Sequence, residues 1–151
     1  MVEPRFRPAS NGPTALFLDT SALFAYFHPN AEEHEQTRAF FGDVVQGTTA
    51  YRPLYTNTYV VDELVTLLQS KATLELACEA FDRIVDSNSI ELLYETESRF
   101  GAVGDALETY TDLEISFTDH MIATSMRDRN VDHIFSYDGD FETLGLTVVP
   151  R

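Results

Sequence analysis

The chain is short, acidic and rich in apolar residues. It has 151 residues, of which 25 are Asp or Glu and 10 are Lys or Arg, so its formal net charge is −15 and its pI is about 4.4. This length suits one compact domain, and a hydrophobic content of 44% excludes a wholly disordered chain. The charge argues against a protein that coats DNA or binds an anionic membrane, because such partners require a broad basic face. Cys78 is the only cysteine, which excludes an intramolecular disulfide and a cysteine-rich zinc site.

The sequence has neither the pattern of a membrane span nor that of a secretion signal. The apolar run over residues 15–27 is interrupted by Asp19 and is shorter than the roughly 20 residues that span a bilayer. We therefore expect a cytoplasmic protein. Lys71 is the only lysine among the 10 basic residues. Many acids with almost no lysine fit a halophilic, salt-adapted surface as well as they fit an ordinary acidic protein.

In chain order, the sequence predicts a flexible N-terminal arm and then one α/β domain. Residues 1–13 are rich in proline and have little apolar pattern, so we expect a loose arm before a domain over residues 14–151. Short apolar runs predict strands over residues 14–18, 54–56, 90–94, 133–137 and 146–149. Helical spacing predicts helices over residues 20–27, 31–45, 58–68, 74–85, 97–110 and 118–129. This alternation indicates a mostly parallel sheet covered on both faces, with ligands bound outside the carboxyl ends of the strands.

Four acidic residues occupy positions that an ordinary solvated surface does not explain. Asp19 and Asp138 end predicted strands, so both are expected at the carboxyl edge of the sheet. Glu63 and Asp119 lie on the apolar stripes of their predicted helices. Carboxylates that converge there repel one another unless they take up protons or bind a divalent cation. Oxygen ligands suit Mg²⁺ or Mn²⁺, and such a site can activate a water for attack on a phosphodiester.

Three of these acids also have an ordinary structural explanation, whereas Glu63 is harder to explain in this way. Asp19 could cap the helix that follows it, and Asp119 could form a capping box with Ser116. Asp138 could be a turn residue in the sequence Asp-Gly-Asp. The functional interpretation therefore depends on the convergence of all four acids at one edge.

Four short segments carry the acids in a fixed order along the chain. The segments are LDTSAL at residues 18–23, YVVDEL at residues 59–64 preceded by Thr56, SFTDH at residues 116–120 and FSYDGDF at residues 135–141. This ordered set resembles the PIN-domain ribonucleases, and within that family the chain is most similar to the VapC-type toxins of type II toxin–antitoxin pairs. The resemblance extends from residue 15 to residue 149. It implies a three-layer α/β/α sandwich with a five-stranded sheet in the order 3-2-1-4-5, and cleavage of single-stranded regions of RNA with Mg²⁺ or Mn²⁺.

The resemblance also assigns roles to individual residues. The catalytic and metal-binding acids would be Asp19, Glu63, Asp119 and Asp138, with Asp140 as a rival or additional ligand in the same turn. Hydroxyl groups that would orient the carboxylates or waters are those of Thr20, Thr56, Ser116 and Thr118. Candidate contacts to the RNA backbone are Arg52, Arg99, Arg127 and Arg129. The family's toxins usually form homodimers and are silenced by a small antitoxin protein, so both partners are expected.

Other functions remain open on the sequence. A PIN-type nuclease could process RNA without a toxin role, and a non-catalytic acidic module could bind an arginine of a partner. A phosphatase of the haloacid-dehalogenase type also begins with an Asp at a strand end, but Ser21 stands where it needs a second Asp, and Lys71 is poorly placed for its lysine. The histidines lack zinc-site spacing, and motifs of serine hydrolases, P-loop NTPases and dinucleotide enzymes are absent from the sequence. The phenylalanines expected in the core are Phe40, Phe41, Phe81 and Phe100.

Overall fold

Strands and helices alternate along the chain in a computed structural model that describes residues 3–9, 11–110 and 114–151. The strands are β1 (Thr14–Leu18), β2 (Tyr51–Asn57), β3 (Ile90–Leu93), β4 (His133–Phe135) and β5 (Thr147–Val149). The helices are α1 (Thr20–Phe27), α2 (His34–Gln46), α3 (Thr58–Lys71), α4 (Leu74–Val85), α5 (Glu97–Thr109) and α6 (Phe117–Asp128). Two short 3₁₀ helices, which the sequence did not predict, cover Pro4–Phe6 and Gly139–Leu144.

The sheet has five parallel strands in the order β3-β2-β1-β4-β5, which confirms the predicted fold class and strand order. The central strand β1 is almost wholly buried, as expected for a parallel strand covered on both faces. Its last residue, Leu18, pairs with Phe135 at the end of β4. The backbone N–H of Asp19 then donates to the carbonyl of Phe135 at 3.0 Å. The chain segments that follow β1 and β4 therefore leave the sheet side by side.

The helices form a layer on each face of the sheet. Helix α1 packs against α2 and α3, and α3 packs against α4, whereas α5 packs against α6. This division follows from right-handed crossovers, because the chain moves outward from β1 to β3 and then crosses to β4 on the other side of the sheet. The longest helix in the described part of the chain, α3, has 14 residues, and none of the helices described there is long and apolar enough to cross a membrane.

Element boundaries differ from the sequence predictions where tertiary contacts extend or shorten an element. Strand β2 is longer than the predicted 54–56, because it pairs with β1 and β3 beyond its apolar centre. Helix α2 starts at His34 and not at residue 31, since residues 31–33 form a turn. Strand β4 ends at Phe135, two residues before the predicted end, and this frees Ser136 to turn toward β1.

Part of the expected N-terminal arm lies against the domain. Phe6 is 1% exposed, and its ring stacks on Phe40 at 4.7 Å and meets the ring of Phe135 edge-on at 5.4 Å. The backbone N–H of Ala9 donates to Nε2 of His133 at 3.0 Å. A single phenylalanine among prolines and arginines has no periodicity, so no sequence pattern predicts this contact.

Two of the four phenylalanines expected in the core lie on the surface. Phe40 is buried and Phe41 packs against the core, as predicted. Phe81 is 46% exposed and Phe100 is 53% exposed, so the prediction was wrong for both. Their helical spacing identified the apolar face correctly, but spacing does not show whether another element covers that face.

Candidate active site

An open cleft of about 510 Å³ lies at the carboxyl edge of the sheet, between α1, α3, α6 and the turn after β4. Its described lining is strongly acidic. The carboxylates that line it are those of Asp19, Glu33, Glu63, Glu114, Asp119, Asp138 and Asp140. Glu33 and Glu114 have no distinctive sequence signal, because neither ends a predicted strand nor lies on an apolar helical stripe.

Each of the four acids on which the functional interpretation depends reaches the cleft from a different element. Asp19 follows β1, Glu63 lies in the second turn of α3, Asp119 lies in the first turn of α6, and Asp138 follows β4. The parallel sheet brings these positions together, because the carboxyl ends of β1 and β4 are adjacent. The acids thus form one cluster drawn from four points of the sequence.

The turn after β4 supplies two acids to this cluster. Asp119, Asp138 and Asp140 each have a carboxylate oxygen, and these oxygens all lie within 4.8 Å of one another, which is close enough to share a metal ion. The Asp140 N–H donates to Oδ1 of Asp138 at 3.3 Å. Both turn acids line the cleft, so both Asp138 and Asp140 are candidate ligands.

Asp19 is held by two serine hydroxyls that the sequence analysis did not single out. Ser136 Oγ donates to Oδ2 of Asp19 at 2.7 Å, and Ser21 Oγ donates to the same oxygen at 3.1 Å. The N–H of Asp138 donates to Ser136 Oγ at 2.9 Å, and the N–H of Tyr137 donates to Ser21 Oγ at 2.9 Å. These backbone donors occupy hydroxyl lone pairs and leave the hydroxyl protons for Asp19. Both serines lie inside the motif segments, which was the only sequence signal available for them.

Burial and mutual repulsion raise the pKa of two of the acids. Burial raises the pKa of Asp19 to about 6, and the charge of Glu63 adds to this, although hydrogen bonds from Ser136, the Thr20 backbone and Ser21 act in the opposite direction. Burial also raises the pKa of Asp119 to about 7, with further contributions from the charges of Asp19, Asp138 and Glu63. A cation placed among these carboxylates would therefore relieve a real electrostatic cost.

The four predicted hydroxyl positions have different surroundings. Thr20 lines the cleft, and its Oγ1 is buried without a hydrogen-bond partner among the described residues. Thr56 Oγ1 donates to the carbonyl of Leu18 at 3.0 Å and so ties β2 to the end of β1. Ser116 caps α6, because its Oγ accepts the N–H of Asp119 at 3.1 Å. Thr118 is half-buried in the first turn of α6 and is not among the described residues that line the cleft.

The four arginines predicted to contact RNA lie outside the described cleft lining. Arg52 is near the amino end of β2, at the opposite edge of the sheet. Arg99 is held by Glu95 at 3.2 Å and by Asp128 at 2.9 Å.

The remaining two arginines lie at the far end of α6. The end of this helix is about 12 to 15 Å from Asp119 along the axis, at 1.5 Å per residue. Arg127 donates to the carbonyl of Leu144 at 3.1 Å, and Arg129 lies over the ring of Tyr55 at 5.4 Å. The structure does not bring either of these side chains to the acids.

A family model and the fold agree on the class of protein. The model of the PIN domain matches residues 16–145, which is most of the chain. The protein therefore belongs to the PIN domain family. A search of curated protein sequences found no match.

Solved structures with the same fold include toxins and toxin complexes. The match to the toxin VapC20 from Mycobacterium tuberculosis, described as cleaving the sarcin–ricin loop, has 22% identity and a TM-score of 0.78 over 87% of this chain and 96% of that one. VapBC2 from Rickettsia felis, bound to a DNA fragment from its promoter, matches with 14% identity and a TM-score of 0.64 over 89% and 97%. FitAcB from Neisseria gonorrhoeae matches with 17% identity and a TM-score of 0.59, also over 89% and 97%. At these identities the likeness establishes the fold.

Proposed function

We propose that the protein is an endoribonuclease that hydrolyses RNA phosphodiesters with Mg²⁺ or Mn²⁺ and acts as the toxin of a toxin–antitoxin pair. The observation that carries the proposal is the acidic cleft. Asp19, Glu63, Asp119 and Asp138 reach it from four different elements of a PIN domain, with Asp140 beside them. A random acidic surface would not place carboxylates at the ends of two adjacent strands and on two helices that face them.

The described residues of the cleft fit a hard divalent cation. The donors are carboxylate oxygens, and three of these acids have oxygens within 4.8 Å of one another. The buried Thr20 hydroxyl, which has no partner among the described residues, adds an unsatisfied oxygen to the same cleft. Asp19, Glu63, Asp119, Asp138 and Asp140 would hold the ion. A bound Mg²⁺ or Mn²⁺ supplies Lewis-acid activation of the phosphodiester and of the attacking water.

The protein's own residues prepare this cleft for the ion and for the substrate. Ser21 and Ser136 hold Asp19 in one orientation, and the cap at Ser116 holds the first turn of α6, which carries Asp119. With its pKa raised to about 7, the Asp119 carboxyl is only partly ionised at neutral pH when no cation is present. The affinity of the cleft for a divalent cation should therefore rise as the pH rises through 7, because the cation competes with this proton.

The structural neighbours support the RNA substrate and the toxin role. VapC20 is described as a toxin that cleaves the sarcin–ricin loop, which is an RNA target. Another neighbour, VapBC-5 from Mycobacterium tuberculosis, is described as a member of a family of toxin–antitoxin systems. By analogy, we propose an antitoxin protein and a second copy of the chain as partners. Large exposed apolar side chains outside the cleft, such as Val45 and Tyr94, support the expectation of a protein partner.

The experiment that tests this proposal is cleavage of a mixed RNA pool by the purified protein in EDTA, Mg²⁺ or Mn²⁺, at low and at molar salt. We expect cleavage only with the metal, and its loss in Asp119→Asn. The matched control is Asp62→Asn, because Asp62 is exposed on α3 next to Glu63 and is not among the described residues that line the cleft. Cleavage by Asp119→Asn at the rate of the parent would refute the site. Stable binding of RNA without any cleavage would favour a non-catalytic acidic module.

A gene for a short antitoxin beside the coding sequence would separate the toxin role from RNA processing. Co-expression offers a direct form of this test. We expect the neighbouring protein to co-purify with the nuclease and to stop its cleavage of the RNA pool. A nuclease that is active without such a neighbour would fit an RNA-processing role better.

A further inference from the structure

The last turn of α3 brings a basic side chain into the acidic cleft. Glu63, Leu67 and Lys71 are spaced four residues apart, so they follow one face of α3, and all three line the cleft. Lys71 lies about 12 Å from Glu63 along the helix axis, at 1.5 Å per residue. A group bound at Lys71 would therefore be separate from a group bound among the acids.

Lys71 is the only basic residue in the described lining of the cleft. It is exposed, and within the described ranges it makes neither an ion pair nor a side-chain hydrogen bond. Arg99 and Arg127, by contrast, are already engaged with carboxylates and with a carbonyl group. The ammonium group of Lys71 is thus free to bind an anion that enters the cleft.

An RNA strand needs such a group because the protein as a whole repels it. The net charge is −15, and each nucleotide of the strand adds a negative phosphate. A divalent cation would offset this repulsion among the acids but not at the other end of the cleft. We propose that Lys71 binds a phosphate that flanks the phosphodiester to be cut and so fixes the position of the strand. This inference rests on the ribonuclease function proposed above.

The test measures RNA binding in the Asp119→Asn background, in which we expect no cleavage. The probe is a fluorescein-labelled single-stranded RNA of mixed sequence, titrated in Mg²⁺ between about 50 and 200 mM salt. We expect Lys71→Gln to weaken binding about three- to tenfold and to reduce the slope of log K against log salt by about 0.7, the value for one phosphate contact on a single strand. Lys71→Arg should keep most of the affinity and the slope.

The control variant is Arg38→Gln, which removes an exposed basic residue of α2 that is not among the described residues lining the cleft. We expect its affinity and salt slope to match those of the Asp119→Asn parent. Gln and Lys have similar helix propensities, so circular dichroism should show Lys71→Gln to be folded. An unchanged salt slope in Lys71→Gln would overturn the proposal. Equal losses in Arg38→Gln would also overturn it, and so would a parent that binds no RNA.

Cleavage assays on the otherwise unaltered chain separate this inference from the proposed function. With Lys71→Gln we expect KM to rise and kcat to stay near that of the parent, because Lys71 is a positioning residue for the strand. Metal-dependent cleavage with no effect of Lys71→Gln on KM would leave the nuclease function intact and refute the role of Lys71. RNA binding that depends on Lys71, without any cleavage, would support the role of Lys71 and refute the nuclease function.

Discussion

Asp19 is the most buried of the candidate ligands, and its position depends on two serines. It is 3% exposed, and its Oδ2 accepts from Ser136 and from Ser21. The hydroxyl of Ser136 serves a second purpose, because it also accepts the N–H of Asp138. One side chain therefore connects the acid that follows β1 with the acid that follows β4. Removal of the Ser136 hydroxyl should therefore disturb the positions of both Asp19 and Asp138.

We predict that Ser136→Ala lowers both stability and metal binding. The variant leaves a buried carboxylate with one hydroxyl donor fewer and leaves the Asp138 N–H without its acceptor. Such losses cost about 1 to 3 kcal/mol of unfolding free energy. Loss of a group that orients a metal ligand also lowers metal affinity or activity, by about 10- to 100-fold. Urea unfolding in EDTA and calorimetric titration with Mg²⁺ measure the two effects separately.

Ser125→Ala is the matched control for this prediction. Ser125 is also a buried serine, and its Oγ donates to Oε1 of Glu95 at 3.1 Å, away from the cleft. We expect a similar loss of stability and no change in Mg²⁺ affinity. Equal Mg²⁺ affinity in Ser136→Ala and Ser125→Ala would show that Ser136 has only a structural role.

At the scale of elements, the sequence predicted where strands and helices lie better than it predicted what they bring together. Apolar periodicity located the strands of the sheet and the helices that cover it, and the family motifs supplied the strand order. The pairing of Leu18 with Phe135 is what puts Asp19 beside Ser136, and a pattern within one element carries no information about that register. For the same reason, the sequence could not show that Lys71 reaches the cleft.

We predict that the N-cap of α6 matters for metal binding as well as for stability. Ser116→Ala removes the acceptor for the Asp119 N–H, which costs about 1 kcal/mol for a typical cap. Because the capped turn carries Asp119, fraying there should also weaken Mg²⁺ binding. The comparison is Thr73→Ala, which removes the equivalent cap of α4, where Thr73 Oγ1 accepts the N–H of Leu76 at 3.0 Å.

The two cap variants should lose similar unfolding free energy in EDTA, and only Ser116→Ala should lose Mg²⁺ affinity. Thermal unfolding with and without Mg²⁺ gives both quantities from one set of samples. If Mg²⁺ stabilises Ser116→Ala as much as it stabilises Thr73→Ala, the first turn of α6 does not need its cap to present Asp119.

The acidic charge of the protein opposes both the folding of the chain and the binding of RNA. The net charge of −15 opposes compaction, and the cleft concentrates seven carboxylates within that field. Salt and divalent cations should each relieve this repulsion, the first over the whole surface and the second at the cleft. The halophilic surface stays a prediction, and the molar-salt arm of the cleavage assay bears on it.

We predict that the metal-free protein loses stability as the pH rises from about 4 to about 7. The pKa of Asp19 is about 6 and that of Asp119 is about 7, whereas an ordinary Asp has a pKa of 3.8. In this range the folded state holds protons that the unfolded chain has released, so raising the pH favours unfolding. The stabilising contribution of both groups is complete below the ordinary Asp pKa and is lost as the pH passes 6 and then 7. His120 acts in the opposite sense at its own titration, because burial lowers its pKa.

A double variant, Asp19→Asn with Asp119→Asn, isolates these two carboxyls from His120 and from the general surface charge. Urea unfolding in EDTA at a series of pH values should show a smaller decline for the double variant than for the parent between about pH 4 and 7. Above pH 7, Mg²⁺ should stabilise the parent more than the variant, because the variant lacks two of the seven cleft carboxylates whose charge the cation offsets. Parallel pH profiles for the two proteins would mean that burial of Asp19 and Asp119 places no electrostatic cost on the fold, and the case for a cation at this cleft would lose its energetic basis.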